Sequence, residues 1–125
     1  MPVLILYTSE ESFSEEQIAA IQKDSIKILS EQLNKSKEFV MTLLHTGCPL
    51  TFGDDKKNCA YVEIKNVGDI SADTARKISR QLCVLMEEVL GMDPKKTYLE
   101  FQESKRHLWG WAGKNFSWIK HQAFH

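Results

Sequence analysis

The sequence predicts an α+β fold in which one strand–helix–strand unit occurs twice. Three observations carry this prediction: a short apolar strand near the start, two amphipathic helices that each follow a capping serine, and a constant offset between the halves. Ser14 and Ser71 begin the helices 57 positions apart, and Leu33 and Leu90 end them at the same offset. Two such units with right-handed crossovers form a four-stranded mixed sheet with both helices on one face.

The first half begins with an apolar segment at residues 3–7, which is typical of a strand buried on both faces. Ser14 and Gln17 have the spacing of a capping box, which predicts a helix start. Asn34 suits the left-handed end of that helix. The apolar face of the helix is predicted to consist of Ile18, Ile21, Ser25, Ile28 and Leu33. A second strand is predicted at residues 39–44.

The second half repeats this order after a surface loop at residues 47–58, where glycine, proline and charged residues concentrate. Apolar and polar residues alternate at 60–65, which predicts a strand with one buried face. The helix after Ser71 has apolar residues at helical spacing, and Gly91 with Pro94 marks its end. These apolar positions are Ala75, Ile78, Leu82, Leu85 and Val89. Alternation at 97–102 predicts the last strand.

One face of the predicted sheet has nothing in the chain to cover it. Along the two alternating strands this face carries Tyr61, Glu63, Lys65, Tyr98, Glu100 and Gln102. A face with such a mixture of aromatic and charged side chains is expected to contact either solvent or other copies of the chain arranged around a solvent-filled axis. The segment after the last strand contains all three tryptophans. We expect these large apolar side chains to pack, including across a subunit contact.

Composition restricts the class of protein. The chain has 125 residues, a formal net charge of −1 and 42% hydrophobic residues, as in one small globular domain. A nucleic-acid-binding protein would normally carry a basic surplus. The longest apolar run, residues 3–7, is shorter than a membrane span of about 20 residues and than a signal-peptide core. We therefore expect a chain that starts at Met1-Pro2, no nucleic-acid or membrane partner, and a cytoplasmic location unless export bypasses a signal peptide.

The spacing of cysteine and histidine predicts neither a disulfide framework nor a metal site. Cys48, Cys59 and Cys83 form no CxxC pair, which favours reduced thiols. The histidines are scattered, and no two of them share a helix at i, i+4 with an acidic partner. We expect no metal and no cofactor.

Pro2 is the residue that points most clearly to chemistry. It follows the initiator methionine and opens a strand, so removal of Met1 would leave a secondary amine. An α-amino group has an ordinary pKa of about 7.7–8.0, which burial and nearby cations both lower. A prolyl nitrogen at the mouth of an apolar pocket could then act as a base at pH 7. On the dipeptide alone, a plain strand start is the simpler interpretation.

A series of short motifs runs through nearly the whole chain. They are Met1-Pro2, Lys35, Phe39-Val40-Met41, Pro49-Leu50-Thr51-Phe52-Gly53, Cys59-Ala60-Tyr61-Val62-Glu63-Ile64, Val67-Gly68, Thr97-Tyr98-Leu99-Glu100-Phe101 and Trp109-Gly110-Trp111-Ala112-Gly113 with Phe116. Because these motifs occur in this order on a duplicated strand–helix–strand unit, the sequence resembles the macrophage migration inhibitory factor family of the tautomerase superfamily, and its microbial and protist members in particular. We expect residues 1–116 to form the family domain and residues 117–125 a C-terminal extension.

The resemblance implies a homotrimer whose sheets surround a central channel, with active sites at the subunit interfaces. It also implies cofactor-independent keto–enol tautomerisation of α-keto acids such as phenylpyruvate, and of dopachrome-type substrates, with Pro2 as general base. The other matching positions are Lys35 and the Val67 backbone for substrate binding, Tyr98 from the neighbouring subunit, and Trp109, Trp111 and Phe116 as an apolar wall. Without the resemblance, the simpler interpretation is a helix-terminal cation for Lys35, an ordinary strand aromatic for Tyr98 and packing for the tryptophans.

Several positions depart from the family pattern. Glu100 stands where the animal proteins carry a substrate-contacting asparagine, so its carboxylate would repel an anionic substrate or be held by a lysine. Phe39 replaces a pocket tyrosine and removes a hydroxyl, while Trp109 replaces a smaller apolar residue and narrows the pocket. Val62 stands at the second cysteine position of a CxxC, so thiol–disulfide activity is not expected.

Two other functions stay open. One is a cytokine-like protein, exported without a signal peptide, that binds a receptor or host protein and keeps only residual catalysis. The other keeps the proline base but hydrates or dehalogenates an unsaturated acid, with Glu100 positioning a water. Lys35 and the tryptophan-rich motif favour the tautomerase over this second alternative, whereas no stretch of the sequence discriminates a receptor-binding surface.

Overall fold

The computed structural model of this chain describes residues 1–116. The regular elements follow the predicted order of strand, helix and strand in each half, and a short hairpin is added at the end. They are β1 (Val3–Thr8), α1 (Glu15–Leu33), β2 (Met41–His45), β3 (Ala60–Val67), α2 (Ala72–Leu90), β4 (Thr97–Ser104), β5 (Gly110–Trp111) and β6 (Lys114–Asn115). Short 3-10 turns precede β2 and β4, and a third follows β4.

The main sheet has the strand order β2-β1-β3-β4. Within each half the two strands are parallel, with Val3 opposite Met41 and Ala60 opposite Thr97. The halves meet where β1 and β3 run antiparallel, with Val3 opposite Lys65. The predicted four-stranded mixed sheet from two βαβ units is therefore confirmed. Because β1 and β3 are antiparallel, the start of β1 lies beside the end of β3.

Both helices begin and end where the sequence predicts. The Ser14 side chain accepts a hydrogen bond from the Gln17 amide, and the Gln17 side chain accepts one from the Ser14 amide, which completes the capping box. Asn34 ends α1 with a φ of 54°, and Gly91 ends α2 with a φ of 73°. A positive φ costs glycine little, which explains its place at this helix end. Each helix has 19 residues, so the duplication extends to element length.

The hydrophobic core lies between the sheet and the two helices. Inward-facing strand residues alternate with outward-facing ones, and the helices contribute one face each. Deeply buried members include Leu4, Leu6, Val62 and Ile64 from the strands and Leu29, Ile78, Leu82 and Met86 from the helices. Full burial of such a side chain is worth about 1.5–3 kcal/mol. The core therefore fixes the sheet and leaves its other face outside.

Three local predictions differ from the structure. The strand β1 is fully buried only on its helix-facing side, while Val3 and Ile5 are half-buried, because the opposite face of the sheet has no layer over it. The second strand begins at Met41 rather than residue 39, since Lys37–Phe39 form a 3-10 turn. On α1, Ile28 packs against the core as predicted but is only partly buried, while Leu29, which was not predicted, is fully buried four residues after Ser25.

The tryptophan-rich segment lies outside the repeat, as predicted, but forms a hairpin that the sequence did not predict. The strands β5 and β6 are joined through Ala112 and Gly113, with φ values of 53° and 73°. Two consecutive positive φ values are typical of a type I′ hairpin turn. The chain then returns inward, and Phe116 is only 2% exposed. Trp118 and the predicted extension at 117–125 lie outside the described residues.

The face of the sheet away from the helices carries the predicted mixture of aromatic and charged side chains. Three rows cross the four strands in register: His45, Tyr7, Tyr61 and Tyr98; then Leu43, Ile5, Glu63 and Glu100; then Met41, Val3, Lys65 and Gln102. The rings of Tyr7 and His45 stack at 4.8 Å between centroids. Tyr98 is 67% exposed and Met41 59%, so this face, called here the outer sheet face, is open in the single chain.

No helix within residues 1–116 is long and apolar enough to cross a membrane. Cys48, Cys59 and Cys83 are free cysteines in the single chain.

Candidate active site

The start of β1 places the amino terminus inside the protein. Pro2 is fully buried, and its carbonyl accepts a hydrogen bond from the Met41 amide at 3.1 Å. Met1 is 5% exposed and packs with Val67 and Phe116 in a second, smaller apolar cluster. Phe39 and Trp109 pack against this cluster from outside. The predicted base position is therefore held by strand pairing on one side and by aromatic side chains on the other.

The amino group sits in an environment that disfavours its positive charge. Burial first, then the positive charges of Lys35 and Arg106, lower the pKa of the Met1 amino group from 8.0 to about 5. Both effects act in the same direction, because an ammonium loses hydration on burial and is repelled by neighbouring cations. An amine in this position is therefore neutral at pH 7, and a neutral amine can accept a proton.

Lys35 reaches this end of the sheet from the turn after α1. The left-handed Asn34 reverses the chain, and the Lys35 amide donates to the Ser30 carbonyl at 3.0 Å. Its ammonium then donates to the Val67 carbonyl at 3.2 Å. Burial first, then Arg106, lower the pKa of Lys35. The structure thus brings two predicted substrate-binding groups, Lys35 and the Val67 backbone, into direct contact beside the amino terminus.

A cavity of about 350 Å³ opens beside Met1. Its lining residues are Met1, Val3, Glu38, Phe39, Val40, Met41, Trp109, Gly110, Trp111 and Phe116. Phe39 and Trp111 meet edge to face at 5.5 Å, and Trp109 stacks on Phe116 at 6.4 Å. Four of the five predicted aromatic site residues, all except Tyr98, therefore line one cavity. Its mainly apolar wall suits an aromatic or other planar apolar group.

Met1 lies at the boundary between this cavity and the lysine. Its side chain lines the cavity and also packs against Val67, the residue whose carbonyl holds Lys35. Lys35 and Val67 do not line the cavity themselves. Removal of Met1 would therefore open the cavity toward Lys35 and leave the Pro2 nitrogen at the opening.

Tyr98 and Glu100 lie away from this cavity in the single chain. On β4, Gln102 is opposite Lys65, which in turn is opposite Val3 at the start of β1. Tyr98 comes four residues before Gln102, a separation of about 13 Å along the strand at the usual rise. The Tyr98 ring instead contacts Phe52 at 5.0 Å between centroids. The single chain therefore leaves both side chains exposed on the outer sheet face, and their assignment to a neighbouring subunit's site stays a prediction.

Two residues near the site were not singled out from the sequence. Glu38, in the 3-10 turn before β2, adds a carboxylate to the cavity lining. Arg106, in the 3-10 turn after β4, donates from Nη2 to the Phe116 carbonyl at 3.0 Å. Neither residue belongs to a motif that the sequence analysis used. The only sequence signal for Arg106 is its place in a short basic run, Lys105-Arg106-His107, just after a strand.

No group of three or more histidine, cysteine, aspartate or glutamate side chains within residues 1–116 is arranged to hold a metal ion.

Comparison with known proteins places this arrangement in a family. The family model described as "Macrophage migration inhibitory factor (MIF)" matches residues 1–117. The macrophage migration inhibitory factor of Rattus norvegicus is 22% identical over 103 residues, which cover 79% of this chain and 90% of the rat protein.

Solved structures agree with the sequence match. The macrophage migration inhibitory factor homologue from Prochlorococcus marinus has a TM-score of 0.83 and 30% identity, covering 91% of this chain and 98% of that one. The macrophage migration inhibitory factor-like protein from Entamoeba histolytica has the same TM-score with 25% identity, covering 91% and 97% of the two chains. These matches confirm the predicted resemblance, and the family match extends from β1 through the hairpin. The chain therefore belongs to the macrophage migration inhibitory factor family.

Proposed function

We propose that this protein is a cofactor-independent keto–enol tautomerase of phenylpyruvate-type α-keto acids and dopachrome-type substrates. The nitrogen of Pro2, freed by removal of Met1, is its general base. The observation that carries the proposal is the buried amino terminus, where an amine has a pKa of about 5, beside Lys35 and an aromatic cavity.

Removal of Met1 changes the Pro2 nitrogen from an amide to a secondary amine. Two of the groups that lower the pKa of the Met1 amine, Lys35 and Arg106, remain because they belong to other parts of the chain. Pro2 is fully buried while Met1 is present, and removal of Met1 uncovers its nitrogen toward the cavity. The nearby cations still disfavour protonation of the Pro2 amine, which favours its neutral, basic form.

The reaction moves one proton, since the keto and enol forms differ only in its position. The neutral Pro2 nitrogen takes a proton from the carbon beside the carbonyl and returns it to the enolate oxygen, which gives the enol and restores the neutral amine; the reverse sequence returns the keto acid. Lys35 meets the developing negative charge on oxygen or the substrate carboxylate as a compact cation. The ring of phenylpyruvate lies against Phe39, Trp109, Trp111 and Phe116 in the cavity.

The same proposal includes a homotrimer. The outer sheet face leaves Tyr98 and Met41 mostly exposed in the single chain, and Tyr98 lies far from its own Pro2. In the trimer this face is covered by other copies, and Tyr98 and Glu100 of one subunit complete the site of the next. Light scattering at micromolar concentration should give the mass of three chains, whereas the mass of a single chain would contradict the shared site.

The base assignment is tested with protein whose loss of Met1 has been verified by mass spectrometry. We expect this form to tautomerise phenylpyruvate and Pro2→Ala to lose at least about 100-fold in kcat/KM, the usual contribution of a general base. A form that keeps Met1 should be inactive, because its Pro2 nitrogen is an amide. Pro49→Ala, in an exposed loop, is the matched control and should retain full activity. Full activity of Pro2→Ala would show that the base is another group.

A further inference from the structure

Among the described residues that line the cavity beside the amino terminus, one is charged, and it is acidic. This residue is Glu38, and the rest of the described lining consists of aliphatic and aromatic side chains and one glycine. The Glu38 carboxylate takes part in none of the ion pairs found within residues 1–116. A few polar groups in a mainly apolar cavity usually fix the orientation of a ligand, so this carboxylate is available to a ligand of opposite charge.

The 3-10 turn Lys37–Phe39 holds Glu38 at the rim of the cavity. The chain that leaves this turn is tied to β1, because the Met41 amide donates to the Pro2 carbonyl at 3.1 Å. Phe39, the next residue after Glu38, places its ring in the lining of the same cavity. Glu38 itself is exposed, so it belongs to the rim of the cavity and not to its floor.

The negative charge of Glu38 lies apart from the positive charges at the amino terminus. After the larger effect of burial, Lys35 and Arg106 lower the pKa of the Met1 amine, and Arg106 lowers that of Lys35. A carboxylate close to either amine would raise its pKa, and Glu38 contributes to neither shift. Lys35 does not line the cavity, and Met1 lies at the boundary between the two. The cavity therefore has a positive side behind the amino terminus and a negative rim.

Two other lysines are near the cavity in the chain or in the sheet, but neither lines it. Lys37 is exposed in the same turn as Glu38 and forms no ion pair with it. Lys65, opposite Val3 on the outer sheet face, is paired with Glu63 at 3.8 Å. Neither lysine therefore supplies a counter-ion for Glu38.

The aromatic side chains of the cavity suit a cationic group as well as an apolar one. The face of an aromatic ring attracts a cation, and tryptophan does so most strongly. Trp109 and Trp111 lie on either side of Gly110 in the lining, and Phe39 meets Trp111 edge to face. A carboxylate beside such rings favours an ammonium or guanidinium group.

We propose that Glu38 is a specificity-determining residue of this site, which accepts α-keto acids whose far end carries an ammonium or guanidinium group. The inference rests on the proposed function, because it names the substrate class of that same cavity. The carboxylate end of the ligand meets Lys35, its ring or carbon chain packs among the aromatic side chains, and its cationic end meets Glu38 at the rim. The tautomerisation is unchanged, because the proton still moves between the carbon beside the carbonyl and the carbonyl oxygen.

The test measures the binding of three derivatives of 3-phenylpropanoate by isothermal titration calorimetry. They differ only in the para substituent of the ring, which is aminomethyl in the cationic probe, hydroxymethyl in the neutral probe and carboxylate in the anionic probe. None of them has a keto group, so binding requires no turnover, and a failed tautomerase proposal remains distinguishable from a failed role for Glu38. The full chain without Met1 is compared with Glu38→Gln and Glu38→Lys. Glu31→Gln removes the same charge from an exposed position on α1 and is the matched control.

We expect wild type to bind the cationic probe about tenfold more tightly than the neutral probe. Glu38→Gln should reduce this preference about three- to fivefold, as the loss of one exposed ion pair does, and Glu31→Gln should leave it unchanged. Glu38→Lys should bind the anionic probe more tightly than the cationic one. Equal affinity of wild type for the cationic and neutral probes, or no binding of either, would overturn the proposal. A preference that stays unchanged in Glu38→Gln would also overturn it, because the aromatic rings alone would then select the cation.

Discussion

The ammonium of Lys35 donates a hydrogen bond to the carbonyl of Val67 across 3.2 Å. This contact joins the turn after α1 to the end of β3, two parts of the chain that are 32 positions apart. Because Val67 also packs against Met1, the contact fixes a positive charge beside the amino terminus. The turn at the end of α1 and the end of β3 therefore both lie beside the start of β1.

Replacement of Lys35 by Met should impair both substrate binding and the base. We expect kcat/KM for phenylpyruvate to fall by about 10–100-fold, since a hydrogen bond to a charged group is worth about 1.5–3 kcal/mol. The pKa of the amine should rise because one of the two cations that lower it is lost. Steady-state kinetics across pH measures both effects. Lys27→Met, on the exposed side of α1, is the control, and identical kinetics in the two variants would contradict the role of Lys35.

The amino terminus should also make folding stability depend on pH in the form that keeps Met1. Its amine has a pKa of about 5 when folded and 8.0 as the unperturbed value, so between these values the unfolded chain binds the proton and the folded chain does not. The contribution of this amine to folding stability is therefore fully present above pH 8 and is lost as the pH is lowered toward 5.

Thermal unfolding from pH 5 to 8 tests this dependence. The matched control is the same chain with an acetylated Met1, which cannot be protonated and should show a shallower change of Tm over that range. Parallel curves of Tm against pH for the two forms would mean that the amino terminus is neither buried nor close to positive charges in the folded protein.

The helices and strands were predictable because their signals are local. The Ser14 capping box, the Asn34 and Gly91 ends and the alternation along β3 each lie within a few residues, and the structure contains all of them. The incorrect local predictions concern tertiary packing. Burial of Leu29 rather than its neighbour depends on how α1 is rotated against the sheet, which the sequence pattern alone specifies only to about one residue.

The candidate site was predictable only in part. Some of the site residues that the resemblance implies do meet around the amino terminus. These are the ones that belong to β1, the turn after α1 and the hairpin. Arg106 was missed because its side chain acts across the turn on Phe116, ten positions away, and no short motif encodes that contact. Tyr98 could not be placed because its predicted partner belongs to another copy of the chain.

Leu29 and Ile28 offer a direct test of the helix orientation. Leu29 is fully buried in the core, while Ile28 is only partly buried. Leu29→Ala should therefore destabilise the fold by about 2–5 kcal/mol, the usual range for a buried leucine, and Ile28→Ala by clearly less. Chemical denaturation of the two variants measures the difference. An equal or larger loss for Ile28→Ala would mean that α1 is rotated differently against the sheet.

Glu100 should weaken the binding of anionic substrates if it reaches a neighbouring site. Glu100→Gln removes the negative charge and keeps the shape, so we expect a lower KM for phenylpyruvate and little change for its methyl ester. Glu103→Gln, an exposed glutamate of the same strand, is the control. If Glu100→Gln changes the kinetics of acid and ester equally, its carboxylate does not face the substrate.

Mixed trimers test whether a site is shared between subunits. Pro2→Ala lacks the base and Tyr98→Ala lacks the aromatic ring that, in the proposed trimer, the next subunit supplies. Each variant alone should be impaired. When the two variants are unfolded and refolded together in equal amounts, about one site in four should regain activity. Such a site combines an intact Pro2 of one chain with an intact Tyr98 of another. Activity of the mixture is compared with the mean of the separate variants under the same refolding conditions. Activity that never exceeds this mean would show that no site combines Pro2 of one chain with Tyr98 of another.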